Sequence, residues 1–154
     1  MRELILSTNA VASQHPMTET VSLMKEAIAN DPNFQLLSAE TIEKPDCTYV
    51  KMVTECALNG SRGEEYYQHK GFTWPKINFF VNQKAEADKP FVYARSADPI
   101  SEDLCPQATN LAARVIDAAD VSPTKIHVVT NYKALALVAG GILLFALIMG
   151  ILSL

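Results

Sequence analysis

The chain has 154 residues, a formal charge of −4 and 49% hydrophobic residues. Mild acidity without a basic stripe argues against a nucleic-acid partner. The three cysteines, Cys47, Cys56 and Cys105, form neither a CxxC pair nor a metal-ligand spacing, so no cofactor or metal is implied.

Residues 2–8, RELILST, read as a short strand, and the polar stretch NAVASQHP follows as a loop. From Met17 to Asn30 the apolar positions Met17, Val21, Met24, Ala27 and Ile28 recur on one face of an amphipathic helix, which NDPN then stops. Residues 34–42 are strand-like. Residues 48–58 fit a strand or a helix, and NGSRG is a turn. EEYYQHKGF suits a short helix running into Trp74 and Pro75. The run that follows, with Ile77, Phe79, Phe80 and Val81, reads as a buried strand. Pro75 cannot donate to a central ladder and so lies at or before its first residue. A charged loop leads to a fourth strand over 91–96. The irregular ADPISEDLCPQ precedes a helix over 108–120, with Leu111, Val115 and Ile116 on its inner face.

The C-terminal stretch differs in kind. Residues 134–154 carry no charge and one hydroxyl, and about 20 apolar residues span a ~30 Å hydrocarbon core. The expectation is a soluble domain over 1–121, a juxtamembrane linker over 122–133 and a transmembrane helix over 134–154. Tyr132 and Lys133 would collar the helix, and Lys125 and Lys133 weakly favour a domain on the cytosolic side. No signal peptide is read in MRELILSTNA. Within the helix, Ala136, Ala139, Gly140, Ala146, Gly150 and Ser153 fall on an arc of about 140°. A small-residue face of this kind lets a neighbouring helix pack closely.

The order β-α-β-(α)-β-β-α, with a proline opening the third strand, resembles the thioredoxin fold. The residues that carry the resemblance are RELILST, MTETVSLMKEAIAN, FQLLSAETIEKPDCT, the segment GFTWPKINFF, FVYARS and ATNLAARVIDAADV. It is most similar to a protein disulfide isomerase domain that lacks the CxxC motif. The resemblance implies a mixed four-stranded α/β sheet with flanking helices, and a cis-proline at Pro75 that shapes a peptide-binding groove with Thr73 and Trp74. Where family members carry the cysteine pair, Val11 and Gln14 stand here, which removes dithiol exchange. The passage LAARVIDAADVSPTKIHVVTNYKALALVAGG is also similar to the thioredoxin-fold subunit of oligosaccharyltransferase. That family has a signal peptide and four membrane helices, whereas one helix and no signal are read here.

Other candidate groups are fewer. Asn59 heads a sequon, usable only in a lumenal domain. His15 is a lone loop histidine. Glu64 with Glu65, and Glu102 with Asp103, are acidic pairs on loops without an evident partner. In an oxidising compartment a Cys56–Cys105 or a Cys47–Cys56 bridge would be open. The expected function is a non-catalytic, structural or docking subunit of a multi-subunit membrane complex, with the lipid bilayer and other membrane subunits as partners. An oligosaccharyltransferase-type assembly in the endoplasmic reticulum membrane is favoured. A respiratory-chain or ATP-synthase accessory subunit in the mitochondrial inner membrane is the alternative, and a membrane-anchored disulfide isomerase relative or peptide-binding chaperone a further one.

Overall fold

The computed structural model describes residues 2–56, 76–119 and 125–130. In chain order these form β1 (Glu3–Thr8), β2 (Val11–Ala12), α1 (Met17–Ala29), β3 (Phe34–Glu43), β4 (Cys47–Cys56), β5 (Lys76–Lys84), β6 (Phe91–Ser96), β7 (Ile100–Ser101), α2 (Cys105–Ala119) and β8 (Ile126–Thr130). All eight strands join one sheet in the order β3-β4-β5-β6-β1-β7, with β2 on β6 and β8 on β1. Every pairing is antiparallel.

This overturns the expectation of a four-stranded, mixed, thioredoxin-like sheet. That reading needs a parallel strand pair on either side of α1. Instead β1 and β3 are separated by β4, β5 and β6. The cause is local. Lys44, Pro45 and Asp46 close a tight turn in which the Lys44 N–H donates to the Cys47 carbonyl at 2.8 Å. Residues 34–43 therefore pair with 47–56 as a long hairpin, from Phe34 opposite Cys56 to Glu43 opposite Thr48. The ambiguous stretch 48–58 is a strand through Cys56, and Asp46 is a turn residue that ends no parallel strand. Residues 126–130 belong to the sheet as well, running from Thr130 opposite Leu4 to Ile126 opposite Thr8.

The expected transmembrane helix over 134–154 lies outside the described residues. Among those described, no helix is long and apolar enough to cross a membrane. The single-pass membrane localisation, in the endoplasmic reticulum or the mitochondrial inner membrane, is accordingly not retained.

Both helices lie on the same face of the sheet. Along β4, β5 and β6 burial alternates with period two, so Val50, Met52, Ile77, Phe79, Val81, Val92 and Ala94 point towards the helices. From α2 come Ala108, Leu111, Ala112, Val115, Ile116 and Ala119, at spacings of three and one, the stripe of a half-buried helix. Met24 and Ile28 of α1 complete the core, with Met17, Val21 and Ala27 partly buried beside it. Pro106 is tolerated because a first-turn N–H has no intrahelical acceptor.

Two polar ties fix the helices. The Ser13 hydroxyl lies 2.7 Å from that of Thr20 and donates to the Ala119 carbonyl at 3.0 Å. The Gln14 N–H donates to the same carbonyl, at 3.0 Å. The loop before α1 is thereby held to the last turn of α2. At the other end of α1, the Asp31 carboxylate accepts from Arg114 of α2 and from the Asn33 N–H at 2.9 Å. Asp31 is only 5% exposed, so losing its cation strands a buried charge. Arg114→Ala should therefore lower unfolding stability by about 1–3 kcal/mol, the partial exposure of the arginine holding the effect below that of a fully buried pair. Ser13→Ala should lower it by about 1–2 kcal/mol. Urea denaturation of the two variants measures both.

Candidate binding site on the sheet face opposite the helices

None of the groove residues named from the thioredoxin resemblance falls within the described structure. Thr73, Trp74, Pro75 and the sequon residue Asn59 lie outside it, as do Glu64, Glu65 and the helix-packing set Ala136, Ala139, Gly140, Ala146, Gly150 and Ser153. The positions where cysteines would stand are structural. Val11 pairs with Val92 in the β2–β6 ladder, and Gln14 makes the α2 tie described above. His15 lies 3.3 Å from Glu19 on the first turn of α1. Glu102 bonds to Arg2, and that hydrogen bond holds its carboxyl below the usual carboxylate range.

The thiols form no redox pair. Cys47 and Cys56 occupy the two ends of the ten-residue strand β4, roughly 30 Å apart at about 3.4 Å per residue, far beyond disulfide reach. Cys47 and Cys105 are free. Cys105 begins α2, where a helix N-terminus favours thiolate, yet burial pushes its thiol up. Among the described residues no group of three or more His, Cys, Asp or Glu could hold a metal.

The concentration of chemistry lies on the sheet face opposite the helices. Cross-strand register places its side chains in rows. Ile42, Tyr49, Asn82 and Phe91 form one row; Glu40, Lys51, Phe80 and Tyr93 form the next; Ser38, Val53, Asn78, Arg95 and Ser7 form the third. Phe80 and Tyr93 are stacked, with ring centroids 4.9 Å apart and planes 15° off parallel. The Arg95 guanidinium sits 5.5 Å from the Tyr93 centroid, and the Lys44 ammonium 5.3 Å from that of Tyr49. Such cation–π contacts hold cations at a protein surface, and among the described residues neither Lys44 nor Arg95 has a carboxylate partner. Towards β3 the face is charge-balanced, with Glu40 opposite Lys51 and Glu55 opposite Lys76.

Two features mark this face as more than a solvated sheet surface. The side-chain oxygens of Asn78 and Asn82 are sealed from solvent and accept no hydrogen bond, an arrangement rare in folded proteins and costly where it occurs. Beside Asn82 is a cavity of about 300 Å³ lined by Ala10, Asn82, Lys84, Phe91 and Tyr93. Phe91 is 40% exposed. Sequence reading missed these residues because it took Phe79 and Phe80 as equally buried. The signal lay in strict alternation, since Asn78, Phe80 and Asn82 share the parity that faces away from Ile77, Phe79 and Val81.

No thiol site emerges, and the Cys105 shift has a direct consequence. Its raised pKa leaves less thiolate at neutral pH, so in a Cys47→Ser background iodoacetamide should alkylate Cys105 slower than a cysteine peptide. The midpoint of the rate–pH profile should lie above the peptide's; a midpoint below it would contradict the burial. No protein-family model matches the chain, and no curated protein matches it by sequence.

Proposed function

We propose that the chain is a non-catalytic docking subunit of a multi-subunit assembly, bound to its neighbours through the face of its sheet opposite the two described helices. The observation that carries this reading is the aromatic and cationic strip of Tyr49, Phe80, Phe91, Tyr93, Lys44 and Arg95, set beside two desolvated carboxamide oxygens without donors. Aromatic residues and arginine dominate the energetic centres of protein interfaces. The thioredoxin fold that linked the chain to oligosaccharyltransferase is not the fold observed, so the assembly is defined here by the chemistry of the face.

The full-length tagged chain, purified gently from its own cells and sized, tests this. Wild type should run in a stoichiometric complex, while Phe91→Asp and Arg95→Glu should run as the lone chain with unchanged circular dichroism. Loss of a central contact weakens association by about 30-fold or more. Recovery of wild type as a single small particle, or full retention of both folded variants in the complex, would overturn the reading.

A further inference from the structure

We propose that the outer edge of β3 accepts an extended segment of a partner polypeptide as an added antiparallel strand. The segment's central apolar side chain is held in the groove between β3 and α1, with a cation two residues before it and an acid two residues after. This surface is separate from the aromatic face, and the inference does not rest on the docking reading.

Hydrogen-bond phase along the hairpin decides which groups of β3 are spare. The Lys44 N–H donates to the Cys47 carbonyl, and bonded pairs recur at every second residue of an antiparallel ladder. The other side of β4 agrees in phase. The Ala85 N–H donates to the Asp46 carbonyl, so even-numbered positions continuing into β4 bond to β5 and odd ones to β3. Glu40 and Ile42 thus bond to Lys51 and Tyr49, whereas Ala39, Thr41 and Glu43 turn their N–H and carbonyl groups away from β4. Among the described residues nothing pairs with that edge, and Ala39, Glu40 and Thr41 are exposed in succession. The register shift between Leu36 and Ser38 and the turn after Glu43 confine the regular edge to Ser38–Glu43. That is about 20 Å, or roughly six residues of strand.

Directly opposite side chains in a ladder share a face. Ala39, Thr41 and Glu43 face the helices, because their partners Met52, Val50 and Thr48 have the parity of the core. A residue added opposite Thr41 therefore projects into a groove of about 450 Å³, lined by Met17, Val21 and Lys25 of α1 and by Thr41 and Val50. Met17, Val21 and Val50 suit a side chain the size of leucine. A second copy of β3 does not supply one. In every two-fold register of Ser38–Glu43 that uses these bonds, Thr41 meets Thr41, Ala39 or Glu43.

Charge sets the order of the segment. Bonds from the Asp31 N–H to the Ile28 carbonyl and from the Phe34 N–H to the Asp31 carbonyl close a tight reversal, so α1 and β3 run in opposite senses. Lys25, near the end of α1, lies toward Ala39, where an acid two residues after the leucine reaches it. Glu43 lies opposite the residue two before the leucine and favours a cation there. Among the described residues neither Lys25 nor Glu43 has an ion-pair partner.

Fluorescence anisotropy of the full chain with the fluorescein-labelled peptide amide Thr-Lys-Thr-Leu-Thr-Glu-Thr tests the assignment. It should bind saturably with a Kd on the order of 0.1 mM. Alanine in place of the leucine should weaken binding about 10-fold, and exchanging the lysine and glutamate about 5-fold at low salt. N-methylation of the leucine, whose N–H meets the Thr41 carbonyl, should abolish binding. N-methylation of the threonine after it, whose N–H faces away from β3, should leave binding unchanged. Lys25→Glu should make lysine preferred over glutamate at the acidic position, a reversal that damage to the fold cannot produce. No saturable binding up to about 5 mM, equal loss from the two N-methylated peptides, or an unchanged glutamate preference in Lys25→Glu would overturn the proposal. So would a dimer of the chain that Thr41→Pro dissociates, which would give the edge to a second copy. The N–H lost in that variant faces away from β4, so the hairpin keeps its bonds.

Discussion

With both helices on one side of the sheet, the two faces of β5 must solve different problems, and the alternation of Phe79 with Phe80 is where they part. Phe79 is fully buried against the helical layer, which supplies its apolar surroundings and the drive that goes with them. Phe80 points the other way, where its partner among the described residues is Tyr93, stacked directly across the β5–β6 ladder. A slip of one residue in this register would exchange the two faces along the whole strand. The pairing of β5 with β4 and β6 therefore fixes at once where the core lies, which aromatics reach the surface and which two asparagines share their face.

Much of the local structure was legible in the amino acids. The inner stripe of α2 at Leu111, Val115 and Ile116 follows from helical spacing, as does the burial of Met24 and Ile28 on α1. Neighbourhood was not legible. The succession strand, helix, strand is the same whether β1 and β3 lie side by side or three strands apart, and a parallel pair was inferred where none exists. What separates the cases is the turn at Lys44, Pro45 and Asp46, whose geometry commits β3 to β4. Its residues lie within FQLLSAETIEKPDCT, one of the segments that carried the thioredoxin resemblance. Thr20 was missed for a related reason. A hydroxyl on the inner side of a helix looks like a break in the apolar stripe until its partner Ser13, on a separate loop, comes within 2.7 Å.

The candidate site was less visible than the fold because it depends on facing. Phe80, Phe91 and Tyr93 are ordinary strand formers, and nothing in their order says which side they take. Asn78 and Asn82 are more telling once placed. Asparagine is disfavoured in strands, and here two sit on a central strand, with neighbours on both sides, and their oxygens are desolvated. Local preference and tertiary position disagree there, and such disagreements concentrate where a protein meets something else.

The ladder between β1 and β8 has a mechanical meaning. Because Leu4 faces Thr130 while Thr8 faces Ile126, the first strand begins where the last one ends. A pull applied between these two ends opens the pair like a zipper, bond after bond from Leu4 inward, and never loads the ladder in shear. Tension arriving through residue 130 would peel β8 from the sheet edge first. The other strands, held through β6 to the hairpin of β3 and β4, would stay assembled around the aromatic face.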